Sequence, residues 1–151
     1  MKAMVIEEFG GPEVFKPMEL ERPELLPGHI MIEVHATSVN AVDLLIRHMG
    51  PPFLAPPFPA VLQSDVAGVV LEVADDVTAF KPGDEVYGCA GGFPGMGGAL
   101  AELMVADANL VAHKPKSLTM AEAAALPLVT ITAWEALHER AQIQAGDKVL
   151  I

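Results

Sequence analysis

Thirteen prolines and thirteen glycines are spread along this sequence, and they hold every regular element to a short run. Proline fixes φ and lacks an amide N–H, so it interrupts helix interiors and central strands, while glycine favours turns. A chain interrupted this often folds as an all-β or mixed domain of short pieces. Its 151 residues suit one domain, long enough to bury roughly two thirds of the unfolded surface. Apolar residues make up 52% of it, which favours a packed core over disorder.

Between the breakers the pattern is mainly that of strands. Met1 to Glu7, Val14 to Leu20, Ile30 to Val39, Val66 to Ala74 and Glu85 to Cys89 read as strands, from alternation or β-branched content. Gly10-Gly11-Pro12 and Lys81-Pro82-Gly83-Asp84 read as turns. Ala41 to Met49 reads as a short helix behind Asn40, with Leu44, Leu45 and His48 at helical spacing. Gly50 to Pro59 carries five prolines, at 51, 52, 56, 57 and 59, so it forms neither a ladder nor a helix interior. Residues 91–98 (GGFPGMGG) read as a flexible loop. Ala99 to Ala106 is ambiguous, a helix by propensity and a strand by its length and its neighbours.

After Lys114-Pro115 the character changes to helical. Thr119-Met120-Ala121-Glu122 has the spacing of a capping box, and Leu126-Pro127 interrupts the helix that it starts. A longer helix is expected from about Val129 to Ala141, and Asp147 to Ile151 then opens a buried-strand pattern.

Several functions are disfavoured by composition. A formal net charge of −11 argues against a nucleic-acid partner, since phosphate binding needs clustered Lys and Arg. No stretch of about eighteen apolar residues is present, so no membrane-spanning helix is expected. The single cysteine, Cys89, permits no internal disulfide and fits a reducing compartment, read here as the cytoplasm. Histidines 29, 35, 48, 113 and 138 are scattered and none has zinc-ligand spacing to Cys89, so no metal site is expected. Gly95-Met96-Gly97-Gly98-Ala99-Leu100 places Leu where a dinucleotide fingerprint needs its last Gly. Ser38, Ser64 and Ser117 lie outside any G-x-S-x-G elbow. Taken alone, the residues announce no catalyst.

An ordered set of segments nevertheless resembles one family. The pieces are Met1-Lys2-Ala3 with Glu8-Phe9-Gly10-Gly11-Pro12-Glu13, then Ser38-Val39-Asn40-Ala41-Val42-Asp43 and Asp65-Val66-Ala67-Gly68-Val69-Val70. They continue with Phe80 to Gly88 (FKPGDEVYG), Gly98-Ala99-Leu100-Ala101-Glu102, Glu122 to Pro127 (EAAALP), Thr132 to Leu137 (TAWEAL) and Gly146 to Ile151 (GDKVLI). In this order they resemble the N-terminal, GroES-like half of medium-chain dehydrogenases/reductases, in the zinc-free quinone oxidoreductase branch.

The resemblance implies a mainly β fold with a few helices. It would be a GroES-like, partly open β-barrel over residues 1–126, followed at 127–151 by the first helix and first strand of an incomplete Rossmann domain. Ala99 to Ala106 then becomes a strand. Zinc-dependent relatives carry a Cys ligand where this chain has Asn40, and a Gly-His-Glu segment that aligns with Gln63-Ser64-Asp65. The four-Cys lobe of those relatives contains only Cys89 here. Asn and Ser are poor zinc ligands, so both metal sites are expected to be lost. Without a Lewis acid, simple alcohol oxidation is disfavoured. The implied activity is zinc-free, NADPH- or NADH-dependent reduction of quinones or α,β-unsaturated carbonyls, which themselves delocalise the delivered charge.

The resemblance carries roles onto three residues. Asn40 would lie near the nicotinamide ribose and the substrate, or else serve as a helix N-cap. Thr132 would face the nicotinamide, or simply bond back to a helix carbonyl. Asp43, in the V-N-x-x-D pattern, would help hold the cofactor cleft. Leu45 stands where some relatives have a cofactor-lining Tyr, and Arg47 is expected to be a solvated helix charge. A zinc alcohol dehydrogenase and a GroES-like interaction module are the rival readings. The 151 residues alone are expected to be inactive, because they stop before the pyrophosphate-binding turn. Residues from about 128 onward are expected to be poorly placed and to invite dimerisation, and the parent to be a homodimer.

Overall fold

Alternation does produce strands, and all of them pair antiparallel. The computed structural model describes residues 1–51 and 54–150. Its strands are β1 (Lys2–Ile6), β2 (Lys16–Glu19), β3 (His29–Thr37), β4 (Ala60–Val61), β5 (Asp65–Val73), β6 (Glu85–Cys89), β7 (Leu103–Asp107) and β8 (Val111–His113). One sheet runs β2-β1-β4 and the other β7-β3-β5-β6-β8. Ala3 pairs with Ala101, and Glu102 N–H donates to Lys2 O at 3.0 Å, so the approach to β7 ties the sheets into a partly open barrel.

Two strand starts shift by two residues or more. Pro12–Val14 forms a tight 3₁₀ turn, so the second strand begins at Lys16 rather than Val14. Ala99 to Ala106 is extended only from Leu103, because Ala99 and Leu100 first donate to the carbonyls of Gln63 (2.9 Å) and Leu62 (3.2 Å). Two strands, β4 and β8, were not anticipated; at two and three residues they are too short to show a period. Of the proline-rich run, Pro52 lies outside the described residues. Its described remainder makes a turn in which Leu54 and Ala55 N–H both reach Pro51 O.

Helix α1 (Ala41–Met49) stops at Gly50, whose φ of 54° suits a residue without Cβ and whose N–H donates to Ile46 O at 3.0 Å. Helix α2 (Met120–Ala124) starts as expected: Thr119 N–H donates to Glu122 Oε2 at 2.8 Å, and Glu122 N–H donates to Thr119 Oγ1 at 3.3 Å. Helix α3 (Pro127–Trp134) begins earlier than expected, since proline is well suited to a first turn. Past Trp134 the chain widens to i→i+5 bonding over Glu135–Arg140, with Ala141 N–H on Ala136 O at 3.0 Å. The strand expected from Asp147 does not form over 147–150, where no strand among the described residues offers a ladder. Ile151 lies outside the described residues.

The barrel interior is filled by Ile30, Ile32, Val66, Val70, Val86, Ala90, Ala99, Met104 and Ala106. Along β5 the period of two sends Val66, Gly68 and Val70 inward and Asp65 and Ala67 outward. Ala67 is covered there by Ala123 and Ala124 of α2. On β6, Tyr87 and Cys89 share that outer face, and Cys89 is the register partner of Asp65. Helix α3 packs beside β6, with Val129, Ile131 and Trp134 left 52%, 58% and 58% exposed.

Candidate active site

The outer face of β5 and β6 would ordinarily be apolar under helices, yet Asp65 sits there with no exposed surface. A desolvated carboxylate needs several donors. Asp65 Oδ2 accepts from Ser38 Oγ at 2.7 Å and from Asn40 Nδ2 at 2.9 Å. Its Oδ1 accepts from the backbone N–H of Leu128, in the first turn of α3, at 3.0 Å. Thr37 Oγ1 donates to the Asp65 carbonyl at 2.6 Å, which fixes the backbone as well.

Asn40 is the N-cap of α1, in a capping box with Asp43, and its Nδ2 serves other partners as well. Nδ2 donates to Asp65 and also to Ser38 Oγ at 3.1 Å. The Asn40 N–H is satisfied from the other side, by Asp43 Oδ2 at 2.7 Å. Asn40 and Asp43 are only 8% and 5% exposed, so each is held by protein partners on most sides. Burial pushes the Asp43 carboxyl above its ordinary range, against the lowering pull of the Asn40 N–H, and the nearby Asp65 pushes the same way.

The folded state therefore holds the Asp43 proton more tightly than the unfolded chain does. Its stabilising contribution is fullest at low pH and is lost as pH rises through the folded value. Asp43→Asn should gain stability relative to wild type as pH is raised from about 3 to about 7 in urea titrations. A difference that stays constant across that range would contradict the burial of this carboxyl.

Cys89 lies opposite Asp65, and burial, then the Asp65 charge, raises its thiol pKa. Alkylation by iodoacetamide at pH 8 is expected to be several-fold slower than for a free thiol, and to accelerate only in the alkaline range. A rate equal to that of free cysteine would refute this environment. Beside this pair, Ser64 Oγ and Gln63 Oε1 are buried without a hydrogen-bond partner among the described residues, and Gln63 adopts a φ of 76°.

Of the carried-over residues, the fold brings Asn40 and Asp43 into one network; Thr132 stands apart. Its side chain is exposed and Oγ1 donates back to Leu128 O at 2.9 Å. The link between the groups is indirect, through Asp65 on Leu128 one helical turn earlier. Leu45 and Leu44 are 41% and 47% exposed on α1. Arg47 is half-buried rather than fully solvated, with Nε donating to Gly10 O at 3.3 Å. The family resemblance gives no role to Asp65, which follows Ser64, the residue at the replaced zinc-ligand position. The available signal was a single acid opening an otherwise apolar strand, DVAGVV.

Other sequence features resolve without chemistry. The 91–98 loop is followed by no helix, so it lacks the N-terminus a pyrophosphate needs; Gly92 N–H closes it on Gly97 O at 3.1 Å. His29 bonds the Pro27 carbonyl and His138 stacks on Trp134. Among the described residues no three His, Cys, Asp or Glu side chains are arranged to hold a metal ion, and no helix is long and apolar enough to cross a membrane.

Residues 26–116 match the family model of the alcohol dehydrogenase GroES-like domain. The chain is 40% identical to the 2-methylene-furan-3-one reductase of Solanum lycopersicum over 158 residues, covering 100% of this chain and 40% of that protein. A crystal structure of an alcohol dehydrogenase superfamily protein from Novosphingobium aromaticivorans superposes with a TM-score of 0.90 at 44% identity, over 97% of this chain and 44% of the other. Escherichia coli quinone oxidoreductase, complexed with NADPH, superposes with a TM-score of 0.81 at 26% identity, over 93% and 41% of the two chains. The chain thus spans less than half the length of these proteins, and similar proteins include some named as mitochondrial or chloroplastic. With the matching domain, the antiparallel open barrel and relatives that are oxidoreductases, the chain belongs to the alcohol dehydrogenase GroES-like domain family of medium-chain dehydrogenases/reductases.

Proposed function

We propose that this chain is the substrate-side domain of an NADPH- or NADH-dependent reductase that acts on quinones or α,β-unsaturated carbonyls without zinc. The observation that carries the reading is the closed network around Asp65. At the two positions where zinc relatives place Cys and His, this chain has an amide that points N–H groups at a carboxylate, and a buried serine. An N–H donor cannot bind a cation, and the Asp65 oxygens are already taken by three donors. The donor set does not fit zinc.

A bound nicotinamide coenzyme would supply a hydride, and a quinone or enone acceptor would spread the arriving charge over its own conjugated system. What remains for the protein is orientation and exclusion of water. Asn40 is suited to the first task, since its amide is locked from two sides. Asp43 acts on Asn40 through the backbone N–H rather than on a ligand directly. Thr132 is reachable from solvent on α3 and can turn its hydroxyl from Leu128 O to a ligand. The exposed Leu44, Leu45 and Ile131 offer apolar surface suited to such acceptors.

The reading divides the chain at 126/127, with residues 127–151 as the approach to a coenzyme-binding domain. The uncovered face of α3 supports that division. Inactivity of these 151 residues alone, a homodimeric parent and a cytoplasmic location complete the proposal.

The test is coenzyme oxidation by the full-length protein with 1,4-benzoquinone and with an enone, before and after chelator treatment. Turnover that survives metal removal is the expected result, and the ratio of NADPH to NADH rates gives the coenzyme preference. Turnover that vanishes and returns with added zinc would replace this reading with that of a zinc alcohol dehydrogenase.

A further inference from the structure

We infer that Asp65 is a positioning residue, whose carboxylate joins the Asn40 amide on the barrel to the first turn of α3 and so sets the helix that bears Thr132. The inference rests on the proposed reductase reading for its catalytic consequence, but its geometry stands on its own. Three segments far apart in sequence meet on one carboxylate: Ser38 and Asn40 before α1, Asp65 on β5, and Leu128 of α3, the last pair separated by 63 residues. Asp65 has no exposed surface, and no Lys, Arg or His pairs with it among the described residues. Neutral donors alone therefore hold the buried carboxylate.

Two of those donors have little freedom to follow it elsewhere. The Leu128 N–H lies at the positive end of α3, where no intrahelical acceptor is available. The second hydrogen of Asn40 Nδ2 is engaged by Ser38 Oγ, so the amide cannot rotate without losing both bonds. Moving the carboxylate thus moves Asn40 or the start of α3, and Thr132 lies one turn further along the same helix. An aliphatic side chain could fill the space equally well, but it would leave three donors unpaired and the helix free to slide.

Full-length protein should be compared as wild type, Asp65→Asn, Asn40→Asp and the double exchange Asn40→Asp/Asp65→Asn. Two measurements decide: amide hydrogen exchange at Leu128, and kcat per folded, coenzyme-binding enzyme, with KM alongside. Asp65→Asn turns one acceptor into a donor, so Leu128 should lose protection. Its kcat should fall roughly 10- to 100-fold with KM much less affected. The double exchange restores one carboxylate facing one amide, so Leu128 protection should return even though Asn40 itself has been lost.

Unchanged protection in Asp65→Asn would overturn the joint. Lost protection with wild-type kcat per folded enzyme would reduce Asp65 to a structural residue and overturn the positioning role. Should Asp65→Asn fail to fold, the double exchange decides alone: a folded protein with Leu128 protected upholds the joint, and an unfolded one overturns it. Absence of quinone or enone turnover in the wild type would defeat the functional reading while leaving the exchange result to judge the joint.

Discussion

Asn40→Asp is expected to lower the stability of the full-length protein by about 3–5 kcal/mol, the range seen when a buried charge is left without its partner. The substitution keeps size and shape, so packing alone would forecast almost nothing. It replaces an N–H donor facing Asp65 with a second carboxylate, in a place where Asp43 is already close enough for the Asp65 charge to perturb it. Three acids would then share one desolvated pocket, and at neutral pH at least one must take up a proton or pull away. Asn40→Ala is milder by the same argument, because it removes a donor without adding a charge; about 1–3 kcal/mol is expected. Urea unfolding at two pH values separates the cases. The deficit of Asn40→Asp should shrink on acidification, as protonation relieves the repulsion, and by more than that of Asn40→Ala. If the two variants matched at neutral pH, the hydrogen bond from Asn40 to Asp65 would be absent in solution.

How much of this was legible beforehand depended on whether the cause lay within one segment. The long strands β3 and β5 were readable because their alternation is a property of consecutive residues, and Thr119 with Glu122 announced α2 for the same reason. The widening of the helix after Trp134 and the unpaired 147–150 segment could not be read, since both depend on which neighbours are present. Family motifs pointed to Asn40 and Asp43, and the fold does bring these two together. Asp65 heads another of these motifs, but the resemblance attaches no role to it. Its importance comes from Leu128 and Ser38 arriving from elsewhere, and a lone acid at the head of a strand carries no record of them. Thr132 shows the converse: its motif is clear, but its hydroxyl bonds within its own helix and shares no hydrogen bond with Asn40 among the described residues.

Gly68 should prove the least replaceable glycine of the sheet. It lies on β5 opposite Val34 of β3, in the pairing that carries the barrel, next to a register shift between Val34 and Ala36. A Cβ added there would meet Ile32 Cγ2 at 2.7 Å, and the Glu33 carbonyl closer still. The side chain could give way by changing rotamer, but the carbonyl belongs to the neighbouring strand, so relief requires parting the ladder. Gly68→Ala should therefore cost at least the roughly 1–3 kcal/mol of ordinary overpacking, and Gly68→Val should prevent β3 and β5 from pairing. Gly97 provides the control: its φ is not in the left-handed region, and an added Cβ meets nothing within 4 Å. There, Ala should be neutral or stabilise by up to about 1 kcal/mol, through the lost freedom of the unfolded chain. Thermal melts of the three variants test the argument. Equal melting temperatures for Gly68→Ala and Gly97→Ala would mean that the two strands are not packed as closely as the backbone places them.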